Sequence, residues 1–183
     1  MVVEKDQAVR GDTTLEQMKD LKPAYRPDGV ITAGISSPLN AAATSMILMS
    51  KETAKKKGIK PLATIRSIGF AGVDPTIMGA GPVPASKKAL ASAGLQVKDI
   101  DYWEINEAFA IVPLYCIKEL GINPDRVNVM GGGLAIGHPL GATGVRLVGT
   151  LARILEKKGG RYGLANACVG GGQGVATIIE REA

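Results

Sequence analysis

One histidine, two cysteines and seven aromatic side chains (one Trp, four Tyr, two Phe) are a small allotment for 183 residues, and each shortage rules something out. The cysteines, Cys116 and Cys168, lie far apart with no CxxC spacing. That excludes a disulfide scaffold and a zinc ribbon, and leaves reduced, intracellular thiols as the simplest reading. With a single histidine and no carboxylate pair, no metal-ligand cluster stands out and no metal is expected. No apolar run approaches the roughly 20 residues that span a bilayer, and the opening MVVEKDQAVRGD lacks a signal-peptide pattern. A soluble, cytoplasmic protein without a membrane partner is expected. Charge is not concentrated either. The net +5 is scattered, and the only basic runs are Lys55-Lys56-Lys57, Lys87-Lys88 and Lys157-Lys158. The first and last fall at the ends of predicted helices, where cations favour the dipole. No aromatic interleaves with them, so they read as solvated helix surface and no nucleic-acid partner is expected.

What the chain does have is glycine, 24 of them, and an apolar content of 45% with a mean hydropathy of +0.12. A core built from Ala, Val, Ile, Leu and Met is expected. The first part is a polar arm with a short helix over 14–21 and a short strand over 30–33. From 40 to 50 no charge occurs, and a helix with no polar face belongs inside a protein. Lys51 to Lys57 then carries that helix to solvent, Gly58 ends it, and 62–70 reads as a strand. Helices follow over 84–93, 107–120 (kinked at Pro113) and 141–158. Strands are expected over 101–105, 127–130, 161–167 and 175–181, the last two joined by a glycine turn. This alternation predicts an α/β layer fold with a mixed sheet.

Three polar side chains fall in loops at predicted strand ends. His138 lies in Gly137-His138-Pro139-Leu140-Gly141-Ala142-Thr143-Gly144, just before a long helix, and can exchange a proton near neutrality or merely cap and pack. Cys168 precedes Val169-Gly170-Gly171-Gly172-Gln173-Gly174, where bare N–H groups favour an acid, base or nucleophile once the thiol pKa is slightly lowered. The bland alternative is a small buried hydrophobe, which describes Cys116 well. Asn106 ends a strand and opens a helix, so N-capping accounts for it as readily as catalysis does. Gly131 to Gly133 lacks the spacing of a nucleotide loop and is a weak phosphate candidate.

Taken together, NEAFA at 106–110, GHPLGATG at 137–144 and CVGGGQG at 168–174 resemble the thiolases in order and approximate spacing. GPVPASKKAL at 81–90, DTTLEQM at 12–18 and LKPAYR at 21–26 are similar to further thiolase stretches, so the resemblance covers essentially the whole chain. It implies a layered α-β-α-β-α architecture of which this is the C-terminal half. Residues 1–39 would be the tail of a loop domain, 40–70 a buried helix and strand completing the N-terminal domain, and 71–183 the C-terminal domain.

The resemblance also implies reversible Claisen condensation and thiolysis of acyl-CoA and 3-ketoacyl-CoA, with the coenzyme A thioester as substrate and no further cofactor. His138 would activate a nucleophilic cysteine and, with a water held by Asn106, stabilise the enolate oxygen. Cys168 would move the α-proton, and the N–H of Gly170 would form half of a second oxyanion hole. Ser37 and Arg10 match residues near coenzyme A, and Met78 and Phe109 match residues lining the thioester pocket. Two departures stand out. The family often has Gly-Asn-Ala/Ser-Ser-Gly followed by Asn-Asp-Gly-Ala, where this chain reads Gly34-Ile35-Ser36-Ser37-Pro38-Leu39-Asn40-Ala41-Ala42-Ala43. The half that carries the nucleophile is not in this sequence. A partner N-terminal half and an oligomer of complete thiolase units are therefore implied; the alternatives are a non-catalytic acyl-CoA-binding or assembly subunit and an inactive remnant.

Overall fold

The computed structural model describes residues 2, 4–6 and 8–182. In chain order its regular elements are helices Leu15–Lys19 (α1) and Lys51–Lys56 (α2), strand Ala63–Gly72 (β1), helix Pro82–Ala93 (α3), strand Tyr102–Ile105 (β2), helices Ile111–Leu120 (α4), Gly133–Ile136 (α5) and Thr143–Lys158 (α6), and strands Tyr162–Val169 (β3) and Gln173–Arg181 (β4). Short 3-10 turns link several of them.

The strands form one mixed sheet in the order β1-β4-β3-β2. β4 pairs antiparallel with both β1 and β3, while β2 runs parallel to β3. Neighbouring side chains on a strand point to opposite faces, and the sequence uses both. Leu164 and Ile178 pack with Trp103, Ile105 and residues of α3 and α4, including Ala85, Ala89, Val112 and Cys116. Ala165 and Ile179 face the other way, against Leu147, Leu151, Ala152 and Leu155 of α6. The result is a sheet with helices on both faces, the α/β class expected.

Close approach of α3 to the sheet depends on small residues. A side chain at Gly69 would run into the backbone of Ala85 and Ala89, and the hydroxyl of Ser67 donates to the Ala89 carbonyl at 2.8 Å. The turn between β3 and β4 uses Gly171 at φ 83° and Gly172 at φ 82°, a region that other residues enter only with strain. On the opposite face, Arg146 of α6 donates to the fully buried Glu104 of β2 at 3.1 Å. Burial pushes the Glu104 carboxyl up to about 7, against the pull of the Arg146 guanidinium.

Four expectations need correction. Residues 40–50 form no helix: the Asn40 amide donates to the Ile136 carbonyl at 3.1 Å and the Thr44 hydroxyl to the Ala142 carbonyl at 2.9 Å, so the segment runs beside α5 and α6. A short, charge-free and mostly apolar run has no period that separates a helix from a strand, and here contacts to carbonyls outweigh helix propensity. Nor is the segment buried, since Ile47 is 84% exposed. The helix begins only at Lys51, where the Ser50 hydroxyl caps the Thr53 N–H. The strand expected to complete a separate N-terminal domain is β1, hydrogen-bonded to β4 in the same sheet as the rest.

The expected kink at Pro113 is absent because α4 starts at Ile111. This puts Pro113 in the first turn, where its missing N–H costs no helical bond. The strand expected over 127–130 shrinks to a single bridge between Val127 and Trp103. The chain then turns through Asn128 at φ 47°, and its side-chain amide pairs with both backbone groups of Ile105, at 2.8 and 2.9 Å. A side chain thus takes the place of the next strand residue.

Gly69→Ala is expected to lower unfolding free energy by more than about 1 kcal/mol, since overpacking against backbone leaves no easy relaxation; Gly58→Asn, at a left-handed turn with open space around it, is the control. Denaturant titration measures both. Removing one partner of the buried ion pair by Arg146→Met should cost about 3–5 kcal/mol. Because the folded-state pKa of Glu104 is raised, the contribution of this group to wild-type stability is lost as pH rises from the ordinary carboxylate range to about 7. Glu104→Gln removes that slope, so its stability relative to wild type should improve with pH by roughly 1–3 kcal/mol across that window.

Candidate active site

The site grows from the C-terminal ends of the parallel pair β2 and β3. The Asn106 N–H continues the ladder by donating to the Asn166 carbonyl at 2.9 Å, which fixes the backbone just past β2. α4 does not begin until Ile111, so Asn106 is not its N-cap. Its buried side-chain amide instead meets the imidazole: Asn106 Nδ2 lies 3.2 Å from His138 Nε2. Asn106 Oδ1 is buried without a partner.

Three contacts hold His138 in place. Its backbone N–H donates to the Pro38 carbonyl at 3.0 Å. The preceding Gly137 has φ 93°, and the Asn40 side chain fills the space a β-carbon would take. On the far side of the ring, Nδ1 is 2.7 Å from the hydroxyl of Thr143, the first residue of α6. Half-burial lowers the imidazole pKa from its ordinary value, and the Arg146 charge adds to that. The ring is therefore neutral at pH 7 and available as a base.

Glu107, beside Asn106, ties the loops together. Its carboxylate accepts from the Leu134 N–H at 2.9 Å and from the Asn128 amide at 2.8 Å. A side chain at Gly132 would collide with that carboxylate. The triple glycine thus wraps a carboxylate of its own chain, and the weak phosphate reading falls. Neither Glu107 nor Asn128 was singled out by sequence reasoning. The only signal for them was an acidic residue next to Asn106 and an asparagine able to enter positive φ.

Cys168 sits at the end of β3, 8% exposed, packed in the cluster that contains Val112 and Cys116 with Met78 and Phe109 against it. Burial raises its thiol pKa, so the slight lowering expected from its neighbouring N–H groups is not met. Among the described residues no hydrogen bond joins Cys168 to His138. Gly170 is exposed at the start of the glycine turn, with open space where a side chain would be. The buried Cys116 thiol is pushed up to about 12 and has no part in the rim.

The arm brings Ser37 to the same edge. Its N–H and its hydroxyl both lie 3.2 Å from the Ala108 carbonyl, and Ser36 bridges to Phe109. Phe109 in turn meets Tyr25 edge to face, with centroids 5.9 Å apart. Asn106, His138, Ser37 and Phe109 are therefore gathered directly. Arg10 is not: it lies exposed in a turn with Thr13, and no described contact links it to this rim. A polar concavity of about 380 Å³, lined by Lys51, Arg161, Glu180, Arg181 and Glu182, opens at the opposite end of the sheet and holds none of these residues.

A neutral imidazole, a buried amide and a thiol near adjoining strand ends can exchange protons and hold an oxygen that gains charge. Comparison with known proteins gives the same direction. The family model described as "Thiolase, C-terminal domain" matches residues 59–181, and that described as "Thiolase, N-terminal domain" matches 1–52. The chain is 50% identical to a 3-ketoacyl-CoA thiolase of Marinobacter nauticus over 98% of its own length and 47% of that protein. It is 49% identical to one of Salmonella typhimurium, covering 96% of this chain and 46% of the relative. It superposes on the Bacillus anthracis acetyl-CoA acetyltransferase with a TM-score of 0.90 at 48% identity, over 97% of this chain and 45% of that one. For human mitochondrial 3-ketoacyl-CoA thiolase in complex with CoA the TM-score is 0.88 at 40% identity, over 99% and 46%. The chain spans about half the length of the curated relatives it matches. By sequence and fold, it belongs to the thiolase family.

Proposed function

We propose that this chain is the C-terminal half of a thiolase that condenses acyl-CoA molecules to 3-ketoacyl-CoA, or cleaves the product by thiolysis, together with an N-terminal half that supplies the nucleophilic cysteine. The observation that carries the reading is the contact between Asn106 and His138, which couples the NEAFA and GHPLGATG segments through 3.2 Å. A neutral imidazole takes the proton of an incoming thiol. Once protonated, it donates to the oxygen that becomes negative as the thioester enolises. Asn106 orients that ring and holds the water beside it. Cys168, kept as a thiol by burial, delivers a proton to the α-carbon in the cleavage direction and recovers it in synthesis. The Gly170 N–H supports the second oxyanion, a donor typically worth about 2.7–4 kcal/mol of transition-state stabilisation.

Ser37 and Arg10 are assigned to coenzyme A, and Met78 and Phe109 to the wall of the thioester channel. The thioester is the substrate, and no additional cofactor is required. Residues 1–39 act as the arm from the loop domain and 71–183 as the C-terminal domain. Within 40–70 the division falls near α2, since β1 is part of the C-terminal sheet. The missing half has a surface waiting for it. β1 is an edge strand whose Ile68 and Phe70 are 48% and 67% exposed, and Ile47 and Leu48 of the segment before α2 are 84% and 69% exposed. Apolar area of this kind marks an interface. The assembled enzyme is expected to be a cytoplasmic oligomer serving fatty acid metabolism; no helix among the described residues is long and apolar enough to cross a membrane.

The competing reading, a non-catalytic acyl-CoA-binding or assembly subunit, draws on Ile35 and Ala41, where the family often has asparagine and aspartate. Co-expression with the N-terminal half of the Marinobacter relative should yield a complex that cleaves acetoacetyl-CoA. His138→Ala and Cys168→Ala should each lower its kcat by at least about 100-fold, the usual scale for losing an acid or base. A stable complex with no turnover, or full turnover with Cys168→Ala, would favour the assembly role instead.

A further inference from the structure

Two rungs join the strand end at β2 to the start of α6, and they differ in kind. The upper one lies in the site, where Asn106 Nδ2 is 3.2 Å from His138 Nε2 and His138 Nδ1 is 2.7 Å from the Thr143 hydroxyl. The lower one is the ion pair of Glu104 and Arg146, 3.1 Å long, with side chains 0% and 15% exposed. Alternate residues of a strand face the same way, so Glu104 and Asn106 both look towards α6, about 7 Å apart along the chain. Three residues of helix separate Thr143 from Arg146, a rise of about 4.5 Å. The Arg146 N–H closes that turn on the Ala142 carbonyl at 3.1 Å. The two rungs therefore share both uprights, and what fixes Glu104 against Arg146 also fixes Asn106 against the helix start that meets the imidazole.

As a source of stability the ion pair is poor. Only Arg146 Nη1 and Glu104 Oε2 meet; Glu104 Oε1 and Arg146 Nη2 are buried without a partner among the described residues. A buried pair so incompletely satisfied gains little over apolar side chains of the same volume. Apolar side chains, however, can slide past one another, whereas a charged bond between one strand residue and one helix residue admits a single register. Among the described residues it is the only side-chain hydrogen bond from β2 to α6. The Glu107 carboxylate fixes the α5 end of the loop that carries His138, through the Leu134 N–H. The ion pair fixes the α6 end.

We propose that Glu104 and Arg146 are positioning residues for the thiolase reaction, whose buried bond sets the α6 side of the spacing between Asn106 and His138 and adds nothing to the stability of the fold. The inference rests on the thiolase reading for its effect on turnover. Its effect on spacing is measured in this chain alone.

Glu104→Leu combined with Arg146→Met replaces the pair by apolar side chains of similar volume. His138 is the only histidine in the chain, so its ring protons identify themselves. In the isotope-labelled wild type, a nuclear Overhauser contact should join them to the Asn106 side-chain amide. The double variant should unfold at a denaturant midpoint no lower than wild type and lose that contact. In complex with the N-terminal half of the Marinobacter relative, its kcat for acetoacetyl-CoA should fall by about 100-fold, the scale of a 1 Å misplacement, with KM near the wild-type value. Glu104→Gln, which still offers Arg146 an oxygen, should keep the contact and most of kcat. A double variant that keeps either the contact or kcat overturns the proposal. So does one that fails to fold or unfolds well below wild type, since the pair would then be holding the fold. A Glu104→Gln variant that keeps the contact and loses turnover overturns it too, because charge and not placement would then matter. If no N-terminal half complements the chain, the thiolase reading falls and the Overhauser result still decides the spacing.

Discussion

The Glu107 carboxylate is the tie on which the site depends. It is anchored just past β2, takes the Leu134 N–H at the start of α5, and receives the Asn128 amide that closes the sheet edge. It adds a direct tie from the strand end to the glycine loop, beside the bonds that Asn128 makes to Ile105. The loop leading to His138 starts from α5, so the separation of His138 from Asn106 is inherited from this bond set. Accepting N–H groups with a carboxylate costs little when each oxygen finds a donor, and each oxygen here does.

A second layer of buried polarity lies one pleat away, where Glu104 and Arg146 cross from β2 to α6. Such a pair gives little net stability, because taking two charges out of water cancels most of their attraction. What it does give is position. α6 begins at Thr143, Arg146 lies one turn further on, and locking that turn to the sheet places both the Thr143 hydroxyl and a positive charge beside the imidazole. Burial does most to lower the His138 pKa, and the helix turn that orients the ring adds the Arg146 charge to it.

Much of this was legible in the residues. Helices 82–93 and 143–158 end where glycines enter the left-handed region, at Gly94 and Gly159, and the closing hairpin follows its glycine run. The α/β class followed from alternation alone. What sequence could not decide was the segment 40–50, because its charge-free run carries no clear period, and its Asn40 and Thr44 bond to the carbonyls of Ile136 in α5 and of Ala142 just before α6. Asn106 was ambiguous for a related reason. Cap and catalytic amide use the same residue type, and only the delayed start of α4 separates them. Glu107 and Asn128 were invisible because their partners are backbone groups far along the chain, which leave no trace in local composition. The thiol of Cys168 ran against expectation because burial in the cluster outweighs the neighbouring amides.

The strand order also sets a timetable. Among the described residues β1 finds its only ladder partner in β4, with Ala63 opposite Arg181 and Gly72 opposite Gln173. A nascent chain therefore carries residues 63–72 without a partner until more than a hundred further residues have been made. Contacts this distant close slowly, and the waiting strand, with Ile68 and Phe70 on one side, is the kind of surface that chaperones hold. Synthesis rate, and not only final stability, will govern how much of this polypeptide reaches its native state.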